Sequence, residues 1–61
     1  MIREGEGCIA RVALDWSDYH VDQGTEGTIM DMNLAAGRVL VRWNHDGRGK
    51  WVPTHCIEGR S

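Results

Sequence analysis

The sequence predicts a small all-β barrel. Three observations carry that expectation. Sixty-one residues hold at most one hydrophobic core. Eight glycines punctuate the chain at Gly5/Gly7, Gly24/Gly27, Gly37, Gly47/Gly49 and Gly59, with short apolar runs between them, the pattern of strands joined by turns. No run has a helical period. Five short strands in one small core close more readily into a barrel than into a two-sheet sandwich, which takes more chain.

The first run, Cys8-Ile9-Ala10-Arg11-Val12-Ala13-Leu14, is expected to be one strand, because Cys8, Ala10, Val12 and Leu14 share a face by the two-residue period. Asp15 to Gly24 is polar with two aromatics and is expected to be a long structured loop. Gly27 to Met32 forms the second strand, with Ile29 inward and a bulge before Met32. Asn33 to Gly37 is a short connection. Arg38-Val39-Leu40-Val41-Arg42-Trp43 has the clearest alternation: Val39, Val41 and Trp43 face one way, Arg38, Leu40 and Arg42 the other. Asn44-His45-Asp46-Gly47 is a turn in which Gly47 can take a positive φ. Arg48 to Val52 returns as the hairpin partner. Pro53 has no amide donor and cannot continue a central strand, so a 3₁₀ turn over Pro53-Thr54-His55 precedes a last strand, Cys56-Ile57-Glu58. The domain is expected to occupy residues 1–61, its core about 5–58.

Composition narrows the function classes. The chain is 41% hydrophobic and 26% charged, ordinary for a globular protein. No stretch approaches the ~20 apolar residues of a membrane span, and Met1 to Gly7 lacks the apolar run of a signal peptide. A cytoplasmic protein with no membrane partner is the expectation. The net charge of −2 argues against a general polyanion binder. Its distribution is uneven. Residues 1–31 hold seven acids against two arginines, net −5; residues 32–61 hold five bases against two acids, net +3. The asymmetry gives either a dipolar surface with one basic face or charges that pair off across interleaved strands.

The motif order resembles the SH3-like barrel superfamily over residues 5–58. Gly7-x-x-Ala10-x-Val12 and Gly24-Thr25-Glu26-Gly27-Thr28-Ile29 resemble the opening of KOW-type small barrels. Val39-Leu40-Val41-Arg42-Trp43-Asn44-His45-Asp46-Gly47 resembles their central hairpin. Trp51-Val52-Pro53-Thr54-His55-Cys56-Ile57-Glu58 resembles the ending of many SH3-like modules. Asp15-Trp16, the Gly-Thr-Ile strand and the Val-Arg-Trp hairpin also resemble the mind-bomb-type domain of ubiquitin ligases. The resemblance implies a five-stranded SH3-like barrel with a 3₁₀ turn before the last strand. Two departures bear on ligands. The acidic segment Asp15 to Asp22 differs from the basic loops of ribosome- and polymerase-associated KOW domains. The chain also lacks the full aromatic set that grips proline-rich peptides in signalling SH3 domains: only Tyr19, Trp43 and Trp51 are available to contribute.

The four large aromatics are the leading binding candidates, because exposed rings grip peptides, methylated cations or bases. Trp43 continues the Val39/Val41 face and is expected in the core. Trp51 neighbours Val52 and points the opposite way; with Val52 inside, Trp51 stands at the surface. Trp16 and Tyr19 either join a ligand site or pin their own loop. The partner-binding set is therefore Trp16, Tyr19 and Trp51 with Asp15 and Asp18, whose acidity favours a protein partner with a basic surface. The alternative is a basic stripe of Arg38, Arg42, Arg48 and Lys50 contacting nucleic-acid phosphates, as in a KOW-like ribonucleoprotein module. A third alternative is an accessory barrel in a larger enzyme complex.

No metal or cofactor is expected. Cys8 and Cys56 fall in the first and last strands and are expected as reduced, partly buried thiols. With His20, His45 and His55 they match no zinc spacing. Catalysis is not expected either: a barrel filled by its own side chains leaves no cavity of ~300 Å³ for a substrate.

Overall fold

In the computed structural model, which describes residues 2–60, the alternation of Arg38 to Trp43 builds the centre of the fold. Strands follow as β1 (Gly7–Ala10), β2 (Leu14–Trp16), β3 (Tyr19–Val21), β4 (Glu26–Asn33), β5 (Arg38–Trp43) and β6 (Gly49–Pro53). A 3₁₀ turn (Thr54–Cys56) then leads into β7 (Ile57–Gly59). Five strands form one antiparallel sheet in the order β6-β5-β4-β1-β7, and β2 and β3 form a separate hairpin. The eight-residue β4 pairs with β1 through its first half and with β5 along nearly its whole length, so it bends the sheet round into an all-β barrel. Two amides carry the β1 pairings past the strand ends: Ala10 N–H donates to the Thr25 carbonyl at 2.9 Å, beside the β1–β4 ladder, and Arg11 N–H to the Cys56 carbonyl at 2.9 Å, beside the β1–β7 ladder.

The β4–β5 register shifts between Ile29 and Asp31, so Met30 is the extra residue of a bulge. The bulge resets the alternation. Ile29 is buried, Asp31 turns outward opposite Leu40, and Met32 returns to the core side opposite Val39. This is the irregularity expected before Met32.

Fully buried Cys8, Val21, Ile29, Val39, Val41, Trp43 and Val52 form the core with Ala10, Tyr19 and Ile57. Gly27 sits on β4 opposite Trp43 of the paired strand β5. A Cβ there would lie 2.6 Å from Val41 Cγ1 and 2.9 Å from the Arg42 carbonyl oxygen. Only the missing side chain permits that approach.

Two expectations on the N-terminal half are corrected. The first strand ends at Ala10 rather than running on to Leu14. The Arg11 amide is drawn to Cys56, the Ala10 carbonyl accepts from Gly24 N–H at 2.8 Å, and Val12 is 47% exposed rather than inward. The segment after Asp15 is a hairpin rather than a loop, its two strands joined at Ser17–Asp18. Tyr19 and Val21 on β3 are buried against Leu14 and Trp16 on β2, while Asp15 and His20 pair on the outer side. Cys56 lies in the 3₁₀ turn, one residue before β7; both thiols are buried and free.

Candidate functional site

The β2–β3 hairpin folds over one end of the barrel and meets the β5–β6 turn. Tyr19 is the pivot. Its ring lies 5.5 Å from that of Trp16 and stacks on His45 at 5.7 Å. Its hydroxyl donates to Asp46 Oδ1 at 2.8 Å, and the same oxygen accepts from the Arg48 amide at 3.0 Å. Burial and the bond to Asp46 push the Tyr19 hydroxyl up to about 12 from its usual 10.0, because both favour the protonated phenol. Asp46 is held below its ordinary carboxyl value: its own desolvation opposes this but is outweighed by the Arg48 amide, the Tyr19 hydroxyl and the neighbouring His45 and Arg48 charges.

Lys50 completes this cluster. Its Nζ lies 5.2 Å from the centre of the Tyr19 ring and 5.7 Å from that of Trp16, and the Arg48 guanidinium lies 5.8 Å from Tyr19. These are cation–π distances. The two rings are therefore already engaged by cations of the same chain, and Tyr19 is only 9% exposed.

Alternation along β6 sends Trp51 the other way. Lys50 and Val52 face the core side and its rim; Trp51 faces outward opposite Leu40 on β5 and is 43% exposed. Trp51 thus stands on a different face from Trp16 and Tyr19. The basic residues divide likewise: Arg38 and Arg42 stand in line on the outer face of β5, while Arg48 and Lys50 belong to the aromatic cluster.

The acidic residues line the outer side of the β2–β3 hairpin. Both ring nitrogens of His20 face carboxylates, Nδ1 that of Asp15 and Nε2 that of Asp22 at 2.6 Å, and both donate when the imidazole is protonated. The Asp15 bond, then the Asp22 bond, raises His20 above its usual 6.5. The two acids address opposite edges of the imidazole, so they cannot converge with it on one ion, and no metal-ligating cluster occurs among the described residues. Asp18, at the hairpin tip, has no ion-pair partner among them. The interior is filled, with no cavity among the described residues.

Two contributors had gone unremarked in the sequence. Asp46 was visible only as a turn residue, yet it anchors Tyr19. Leu40 was visible only as an outward position between two arginines, yet it is the cross-strand neighbour of Trp51.

No protein-family model matches the chain, and no curated protein matches it. Solved structures do. The fold is SH3-like. The C-terminal SH3 domain of myosin IB from Entamoeba histolytica, in a crystal structure bound to EhFP10(GEF) peptide, superposes with a TM-score of 0.75 at 14% identity, covering 98% of this chain and 89% of that one. A second crystal structure of the same domain gives 0.75 and 14%, covering 98% of this chain and 100% of that one. The SH3-like architecture expected from the motif order is thereby shown. No helix among the described residues is long and apolar enough to cross a membrane.

Proposed function

We propose that this chain is a non-enzymatic protein-interaction module, a small adaptor or accessory subunit, whose partner is anchored on Trp51. One observation carries the reading. Trp51, 43% exposed on a strand, is the one exposed large aromatic among the described residues, while Trp43 is fully buried and Tyr19 is tied to Asp46, His45 and Lys50. Aromatic anchors beside a neighbouring apolar side chain are the residues that dominate protein interfaces. A peptide-bound SH3 neighbour of the same fold supports the reading. The acidic outer side of the β2–β3 hairpin, with Asp15 and Asp18, supplies a second contact that draws in a basic surface of the partner. Trp16 and Tyr19 act in this reading by holding the hairpin in place.

The second reading is a KOW-like nucleic-acid module. The alignment of Arg38 and Arg42 beside Trp51 favours it; the diversion of Arg48 and Lys50 to the aromatic cluster counts against it. Affinity capture from a source lysate distinguishes the two, using the wild-type chain and Trp51→Thr, each with and without nuclease. A discrete protein that survives nuclease and is lost with Trp51→Thr supports the interaction module. Captured material that disappears on nuclease treatment, or that Trp51→Thr leaves unchanged while folded, overturns it.

A further inference from the structure

The outer face of β4, β5 and β6 is a grid set by register. Arg42 stands between Thr28 and Gly49, Leu40 between Asp31 and Trp51, and Arg38 between Asn33 and Pro53. Arg38 and Arg42 are exposed and make no ion pair among the described residues. Their β6 neighbours, Pro53 and Gly49, have little or no side chain to cover them. Leu40 leans toward Gly49, its Cδ1 3.5 Å from where a Cβ would stand. Asp31 is the single acid of the grid, and its Oδ1 accepts from the adjacent Met32 amide at 2.8 Å. The face therefore presents two unpaired guanidinium groups with an apolar pair, Leu40 and Trp51, between them.

Resting on the Trp51 reading, we propose that this face binds an extended acidic peptide of the pattern acid–x–apolar–x–acid, laid along β5. The spacing argues for it. Arg38 and Arg42 lie four residues apart on one strand, about 13 Å at ~3.3 Å per residue. An extended peptide has the same rise and alternation, so its residues i, i+2 and i+4 fall on one side and meet Arg42, Leu40 and Arg38 in turn. The middle side chain seats on Leu40 and Trp51. The flanking carboxylates meet guanidinium forks, whose planar donors match a carboxylate in two hydrogen bonds. A nucleic acid fits less well, because two cations line this face among the described residues, whereas polyanion binding draws on many phosphate contacts.

The test is panning of a random peptide display library on the wild-type chain, Trp51→Thr and an Arg38→Glu/Arg42→Glu double variant. The wild type is expected to enrich peptides with acids four residues apart around an apolar residue. The double variant should lose them and select bases at those positions. A synthetic copy of the selected peptide should bind about tenfold or more weakly to Arg42→Gln, the loss expected of one charge-assisted contact. Peptides without acids that bind the double variant equally well, yet fail on Trp51→Thr, would overturn this inference and leave the Trp51 reading intact. Peptides that bind Trp51→Thr as well as wild type would overturn both. Enrichment of nothing, with an oligothymidylate instead shifting the Arg38 and Arg42 resonances, would overturn the inference in favour of nucleic acid.

Discussion

Gly27→Ala tests the close packing of β4 on β5 at the Gly27–Trp43 pair, on which the outer grid depends. The added methyl would lie 2.6 Å from Val41 Cγ1, 2.9 Å from the Arg42 carbonyl oxygen and 3.0 Å from Trp43 Cε3. Ordinary carbon contacts lie near ~3.5–4.0 Å, so each is short by about half an ångström or more. None of the three yields easily. Val41 and Trp43 are fully buried, and the carbonyl belongs to the paired strand. Overpacking by one methyl costs about 1–3 kcal/mol; three contacts, one to backbone, put this site at the upper end. The unfolded chain loses freedom when Gly becomes Ala, which returns about 0.4–1 kcal/mol. The net loss is about 2 kcal/mol, against the roughly 3–9 kcal/mol that a 61-residue domain holds in total. At ~4–8 °C per kcal/mol for a domain of this size, the melting temperature should fall by about 10–15 °C. Thermal unfolding followed by circular dichroism measures it, with Gly7→Ala as the control. A Cβ at Gly7 meets nothing nearer than 3.8 Å, so that variant should stay within about 1 kcal/mol of wild type. Equal melting temperatures for the two variants would refute the close-approach argument.

The single tyrosine makes the aromatic cluster directly measurable: absorbance at 295 nm should titrate near 12 rather than 10.0, and Asp46→Asn should bring the midpoint down. Because Tyr19 is raised in the folded state, its contribution to stability is complete below pH 10.0 and disappears as pH climbs through about 12; a midpoint at 10 in the folded protein would contradict the buried, bonded hydroxyl. His20 is raised as well, so its clamp across β2 and β3 is fully formed below 6.5 and is lost as pH rises through its elevated folded value. An NMR titration should show His20 above 6.5 and Asp15→Asn lowering it, and a wild-type value at or below 6.5 would rule the clamp out. Burial, with a smaller push from Glu6, raises the Cys8 thiol to about 11, so at neutral pH a thiol reagent should label it only as fast as the protein opens; rapid labelling of Cys8 in the folded protein would contradict that packing.

Legibility in the sequence followed strand length. The six residues of β5 alternate without exception, and from them the core position of Trp43, the outward arginines and the turn at Gly47 could all be placed. Trp51 followed from its neighbour, because Val52 fixed the phase of β6. The bulge at Met30 was legible because Ile29 and Met32 cannot share a face without an extra residue between them. The β2–β3 hairpin was not legible, since two three-residue strands give too little period to distinguish from a loop. The grouping of candidate residues was hidden for another reason. Whether Trp16 and Tyr19 meet Trp51 depends on which side of β6 the hairpin folds over, and that is decided by Lys50 and Asp46 far away in the chain.

Chemical-shift mapping with the protein partner recovered by capture tests the interaction reading most directly. The isotope-labelled chain is titrated with that partner. The expected result is that the largest shifts fall on the Trp51 indole N–H and the amides of Leu40, Arg42 and Trp51, whose side chains share the outer face of β5 and β6. Shifts confined to the β2–β3 hairpin and the β5–β6 turn, with the Trp51 indole unmoved at saturation, would contradict it.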